Sequence, residues 1–100
     1  MEKSTPHCKL SVVQLLVKDG HVRATASAFN SARELSIYNL SGMCAVLLRL
    51  TPSDFYKSMT THADHHIWQD VYHAKITGGA QAYLKLTVID DVLIVSFKEL

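Results

Sequence analysis

Gln81-Ala82-Tyr83-Leu84-Lys85-Leu86-Thr87-Val88-Ile89-Asp90-Asp91-Val92-Leu93-Ile94-Val95-Ser96-Phe97-Lys98 decides how this chain folds. Two runs rich in β-branched and aromatic residues flank Asp90-Asp91, a turn-like pair, so the stretch reads as an antiparallel hairpin. Side chains alternate between the two faces of a strand. In the first run Ala82, Leu84, Leu86 and Val88 oppose Gln81, Tyr83, Lys85 and Thr87; in the second, Leu93, Val95 and Phe97 oppose Ile94, Ser96 and Lys98. The first set of each run is the expected core face. If Asp90-Asp91 is a two-residue loop, Ile89 faces Val92, and counting outward pairs Val88 with Leu93, Leu86 with Val95, Leu84 with Phe97 and Tyr83 with Lys98. A slip by one would turn Lys98 to the apolar face, where burying its charge is costly.

Working back from the hairpin, Phe55 to Thr61 and Ile67 to Ile76 have the same strand character and are bounded by Ala63-Asp64 and Thr77-Gly78-Gly79. Connections this short make consecutive strands mostly antiparallel, because a parallel crossover needs about a dozen residues or more. The first half of the chain has helical spacing instead. Thr5-Pro6 reads as an N-cap with proline at the first helical position, followed by Leu10, Val13, Leu16 and Val17 on one face and Gly20 as a stop. After an extended piece, His21 to Ala24, the alanine-rich run Thr25 to Leu35 forms a second helix. Ser41 is placed to cap a third, with Met43, Leu47 and Leu50 inward and Thr51-Pro52 as its end. The expected class is α+β: three N-terminal helices packed on a mainly antiparallel C-terminal sheet.

One hundred residues, 48% hydrophobic and 19% charged, suit a single domain spanning 1-100 and exclude a disordered tail. The longest apolar runs, Met43 to Leu48 and Val92 to Val95, fall far short of the roughly 20 residues a membrane helix needs. The opening Met-Glu-Lys-Ser-Thr-Pro-His lacks the apolar core of an export signal, so a cytoplasmic protein is expected. Cys8 and Cys44 have no CxxC spacing and read as reduced, packed thiols. A net charge of +1 is too small for a generic nucleic-acid binder, so any anion site must be local.

Parity supplies a candidate for that site. Lys57 shares a face with Phe55 and Met59, and Gln69 shares one with Ile67, Val71 and His73; aligned with the polar side of the hairpin, one surface gathers Lys57, Gln69, His73, Tyr83 and Lys98. A solvated outer face is the plain reading, and most antiparallel sheets have one. The chemical mix points further. Cleaving RNA without a metal requires taking the 2′-OH proton, stabilising charge on phosphorus and protonating the departing 5′-oxygen, tasks that lysine, tyrosine and glutamine can divide. Lys57 and Lys98, if close, would lower each other's pKa. The histidine-rich His62-Ala63-Asp64-His65-His66 offers metal-ligand chemistry but matches no metal-site spacing, and no metal or other cofactor is assigned. Trp68, of opposite parity to Gln69, is expected in the core.

The segments Asp54-Phe55-Tyr56-Lys57-Ser58-Met59-Thr60-Thr61, Ile67-Trp68-Gln69-Asp70-Val71-Tyr72 and Asp91-Val92-Leu93-Ile94-Val95-Ser96-Phe97-Lys98-Glu99 closely resemble the motility quorum-sensing regulator toxins of bacterial type II toxin–antitoxin systems. The likeness runs from Met1 to the C-terminus. It implies a RelE/YoeB-like fold and a ribosome-independent endoribonuclease that cuts messenger RNA at GC-containing triplets, chiefly GCU. It also implies a zinc-containing antitoxin, MqsA, as partner. By the same likeness Lys57, Gln69, Tyr83 and Lys98 are catalytic, while Tyr56, Met59 and His73 line the substrate site. His73 stands where an arginine is usual in the family, which implies RNA binding that tightens below about pH 6.5, where imidazole becomes charged. The alternatives are a module that binds antitoxin or RNA without cutting, and a metal-dependent nuclease resting on the histidines.

Overall fold

The computed structural model describes residues 1–100. Six strands form one sheet: β1 (Glu2–Lys3), β2 (Val22–Ala24), β3 (Phe55–Thr60), β4 (Trp68–Lys75), β5 (Gln81–Ile89) and β6 (Asp91–Glu99), in the spatial order β1-β3-β4-β5-β6-β2. The four long strands are those expected and run antiparallel, whereas β2 joins β6 in parallel. The sheet is therefore not wholly C-terminal. β1 precedes the helices and β2 lies between the first two, and two or three residues are too few for periodicity to distinguish a strand from a connection.

Three helices, α1 (Leu10–Lys18), α2 (Ala26–Ala32) and α3 (Leu40–Arg49), cover one side of the sheet. Their inward residues, among them Val13, Val17, Ala28, Ala32, Met43 and Leu47, pack with Tyr72, Leu84, Leu86, Ile94 and Phe97 in a single core cluster. Burial of this apolar surface is the main force holding helices to sheet.

Two helix starts differ from expectation. α1 begins at Leu10 rather than beside Thr5-Pro6, because the amides of His7 and Cys8 are taken by the buried carboxylate of Asp70, each at 3.0 Å. A carboxylate accepting two backbone N–H groups holds the strap more strongly than neutral acceptors would. α3 is capped by Asn39, whose Oδ1 accepts from the Gly42 amide at 2.8 Å, and not by Ser41. α2 is capped as the sequence suggests, with Thr25 Oγ1 accepting from the Ala28 amide at 3.0 Å. Asp70→Ala should strand both strap amides and lower unfolding stability by about 3 kcal/mol. Urea titration would show a lower midpoint with an unchanged slope; an unmoved midpoint would detach Asp70 from the fold.

The hairpin register holds two departures that compensate. Near the turn, Ile89 pairs with Asp91 and Val88 with Val92, one residue off the expected ladder, and Asp90 takes the left-handed φ of 67°. A bulge at Val95 then shifts the register, so that Lys85 pairs with Ser96, Leu84 with Phe97 and Tyr83 with Lys98. The inner half of β6 is consequently reversed: Val92 and Ile94 are buried in the core, and Leu93 and Val95 are not. Phe97 is buried as expected. Trp68 is only half-buried and lies outside the core cluster, stacked on His7 at 5.7 Å with the Lys3 ammonium 4.2 Å from its ring. Tyr72 is fully buried with its hydroxyl unpartnered. Burial, then the charge of Asp70, pushes that phenol up to about 12, so it stays neutral.

Candidate active site

The side of the sheet away from the helices carries three neighbouring rows of side chains. Directly opposed residues point to the same face, with Cβ atoms roughly 4.5 to 5.5 Å apart. One row runs Glu2, Met59, Gln69. The next runs Lys57, Val71, Lys85, Ser96, and the third runs His73, Tyr83, Lys98. Lys57, Gln69, His73, Tyr83 and Lys98 thus share one face, as parity suggests. Gln69 sits one row to the side of Lys57, beside Met59, while Tyr83 and Lys98 are direct cross-strand neighbours.

A bulge between Phe55 and Lys57 gives Tyr56 its place. Strict alternation would put Tyr56 on the opposite face from Lys57 and group Phe55 with Lys57. Instead Phe55 turns inward, edge-on to Tyr72, and Tyr56 stacks on His73 with ring centroids 4.3 Å apart. Bulges of this kind re-aim a side chain beside functional sites. The His73 ring also lies 6.2 Å from that of Tyr83, making an aromatic strip of Tyr56, His73 and Tyr83. Tyr56 is 54% exposed, so a flat face is open to solvent.

Val71 is the floor. It is completely buried yet stands apart from the core cluster, because it points to the open face. Its register neighbours are Lys57 and Lys85, whose aliphatic stems suit covering an apolar floor while their ammonium groups stay in water. The ammonium of Lys98 lies 5.2 Å from the Tyr83 ring and that of Lys85 5.9 Å from it.

The ionic balance differs from the expectation that Lys57 and Lys98 depress each other. Lys57 Nζ donates to Glu2 Oε2 at 2.7 Å, and this hydrogen bond raises the lysine's pKa and lowers the carboxylate's. The lysine whose pKa falls is Lys85, through burial first and then the charges of Lys98 and Lys57. Sequence reasoning singled out neither Glu2 nor Lys85. Nothing in a two-residue strand announces Glu2, whereas alternation in β5 already placed Lys85 beside Tyr83 on the polar side.

The histidine-rich stretch lies off this face. His66 Nδ1 approaches Asp64 Oδ1 at 3.1 Å, and no third ligating side chain joins them. His62 and His65 line a shallow depression with Met1, Glu2, Met59, Thr60 and Thr61, which meets the site at Glu2 and Met59. Cys8 and Cys44 are free, half-buried thiols packed against the core, and burial raises the pKa of both.

A face that concentrates three lysines and three stackable rings over an apolar floor is built for a polyanion with planar groups. The family model described as motility quorum-sensing regulator, toxin of MqsA, matches residues 5–99. The chain belongs to the motility quorum-sensing regulator toxin family. A relative in Escherichia coli (strain K12), the mRNA interferase toxin MqsR, is 60% identical over 99 residues, covering 99% of this chain and 99% of its own length. The family match includes every residue of the Lys57 and Tyr83 rows, while Glu2, the carboxylate that holds Lys57, lies just before it. No helix of this toxin-family chain is long and apolar enough to cross a membrane.

Proposed function

We propose that this chain is the toxin of a toxin–antitoxin pair, a RelE-like single domain over 1-100 acting in the cytoplasm. Its reaction is endoribonucleolytic cleavage of messenger RNA at GC-containing triplets such as GCU, independent of the ribosome, with an MqsA-like zinc-containing antitoxin as partner. The observation that carries the reading is the open sheet face, where Lys57, Lys85 and Lys98 stand around Val71 and Tyr83 in a chain whose net charge is only +1. Those cations supply a local seat for phosphate. Tyr56, His73 and Tyr83 supply surfaces for bases, since stacking on aromatic side chains is the usual way to hold single-stranded RNA.

Cleavage proceeds by transfer within the RNA. The O2′–H bond breaks as its proton passes to a base on the face, the O2′–P bond forms, and the P–O5′ bond breaks as the 5′-oxygen takes a proton from a charged lysine. The products are a 2′,3′-cyclic phosphate and a 5′-hydroxyl. Lys57 and Lys98 offset the extra negative charge on the phosphoryl oxygens, Tyr83 hydrogen-bonds to the same phosphate, and Gln69 and Met59 position a neighbouring nucleotide. No metal or cofactor is assigned a part.

Incubating the purified protein with a GCU-containing oligonucleotide, with and without EDTA, tests this. The expected result is cutting at that triplet in both samples, with a cyclic phosphate on the upstream product. Binding without cutting would leave an interaction module, and cutting abolished by EDTA would transfer the chemistry to a metal.

A further inference from the structure

We propose that Lys85 is the general base of this reaction, the group that accepts the 2′-OH proton from RNA lying across the open face. This rests on the ribonuclease reading above and assigns a step to a residue outside the Lys57, Gln69, Tyr83 and Lys98 set.

The position of Lys85 is the first reason. It is half-buried at the middle of the face, separated from Lys57 only by Val71 and diagonal to Lys98 across the β5–β6 ladder. Strands spaced about 4.8 Å apart put Lys57 two strands, or roughly 10 Å, from Lys85 at the backbone. Diagonal partners such as Lys85 and Lys98 stand roughly 7 to 8 Å apart. A phosphate seated over Val71 would lie within reach of all three side chains, and the central one, Lys85, is placed to reach the 2′-oxygen of the ribose esterified to it through O3′.

The second reason is how the protons are held. A base must start neutral and an acid or charge clamp must start protonated, so one site needs lysines of both kinds. Lys57 is fixed as a cation by its 2.7 Å contact with Glu2. Lys98 is exposed to water. Lys85 has no carboxylate partner; its register neighbours are Val71 and Ser96, and it has a cation on either side. The titratable and charged groups that face it are His73 from β4, Tyr83 on its own strand, Lys98 from β6, and Tyr56 and Lys57 from β3, with Glu2 behind Lys57. Glu2 is the one anion among them and is already engaged. Burial and the two flanking ammoniums both lower the pKa of Lys85 below the ordinary 10.5, giving a larger neutral fraction near neutrality.

During the reaction the lone pair on Lys85 Nζ takes the proton as the O2′–P bond forms. The resulting ammonium then faces a phosphorane bearing additional negative charge, so the cation produced is stabilised by the anion produced. Lys57, already protonated, donates to O5′ as the P–O5′ bond breaks. The two lysines return to their starting states by exchanging one proton with solvent.

The test follows single-turnover cleavage of the GCU oligonucleotide from pH 5 to 10 with the intact protein, Lys85→Arg and Lys85→Met. Arginine keeps the cation but cannot be deprotonated in this range. The proposal expects the wild-type rate to rise with unit slope and level off at an apparent pKa below 10.5, and Lys85→Arg to lose about 100- to 10,000-fold and the break in its profile. Affinity of Lys85→Arg for an uncleavable 2′-deoxy oligonucleotide, read by fluorescence anisotropy, should stay within about threefold because the charge remains. Lys85→Met keeps the stem over Val71 and removes a charge that burial penalises, so it should melt no lower than wild type while losing cleavage equally. Lys85→Arg cutting at near wild-type rate, or retaining the wild-type break, would overturn the assignment and move the base to a group such as His73. Wild type that leaves RNA intact would overturn the ribonuclease reading and this assignment together. A wild type that cuts beside an unimpaired arginine variant overturns the assignment alone.

Discussion

An RNA in which one 2′-hydroxyl, that of the nucleotide on the 5′ side of the cut, is replaced by hydrogen will resist cleavage by about 100,000-fold or more. An attacking group held beside its own phosphate has an effective concentration that no diffusing water can match, and deleting it removes the whole intramolecular advantage. In the proposed reaction the nucleophile belongs to the RNA, and no side chain takes its place. Cys8 and Cys44 pack against the core beneath the sheet, with their thiol pKa values raised by burial, and the open face presents amines, phenols, an imidazole, an amide, the Ser96 hydroxyl and the Glu2 carboxylate already engaged with Lys57. Binding of the deoxy-substituted RNA should change little, because phosphate contacts and stacking do not require that hydroxyl. Denaturing gels of the two substrates at saturating enzyme give the comparison. Robust cutting of the deoxy substrate would transfer the attack to an activated water.

The hairpin explains how much of this site was legible beforehand. Tyr83 opposite Lys98 follows from counting outward from Asp90-Asp91, but the count succeeds because two irregularities cancel: a tighter turn at Asp90 and one extra residue at Val95. Alternation read from the open end of the hairpin is therefore right, and alternation read near the turn assigns Leu93 and Val95 wrongly to the core. A bulge has no composition of its own in an apolar run such as Val92 to Val95, so periodicity passes over it. The same limit applies at Tyr56, whose place beside His73 comes from a bulge. Where alternation is unbroken, as in β5, sequence alone sorts Leu84 and Leu86 inward and Tyr83 and Lys85 outward.

Long-range polar contacts were the illegible part. Asp70 holds His7 and Cys8 from more than sixty positions away, and Glu2 holds Lys57 from 55 positions away. Neither pairing has a local signature. The first moves the start of α1, and the second raises the pKa of Lys57, the lysine proposed above as the proton donor. In the mechanism proposed above, a face read as five residues of mixed chemistry gains, with Glu2 and Lys85 included, separate places for holding and for taking a proton.

Lys57→Ala is expected to lower cleavage by about 100-fold or more with the fold retained, the scale of losing a general acid together with its charge. Lys57 sits over Val71 in the middle row, and its ammonium is the one fixed by a carboxylate, so it can stabilise phosphorus or protonate O5′ but is poorly suited to act as a base. The sign of its pH dependence follows. The hydrogen bond with Glu2 raises the lysine's pKa above the ordinary 10.5, so its contribution is present through neutrality and is lost only as pH climbs through that raised value. The carboxylate, held below its ordinary 4.5, keeps the pair intact on the acid side until pH falls through that lowered value. Glu2→Gln removes the anion but leaves Lys57 in place, so the alkaline fall in rate should move to lower pH while cleavage near pH 7 continues. Rate profiles of wild type, Glu2→Gln and Lys57→Ala, run beside thermal melts, separate these effects. An unchanged rate in a normally folded Lys57→Ala would remove this lysine from the chemistry, and an alkaline limb that Glu2→Gln does not move would show that β1 has no hold on it.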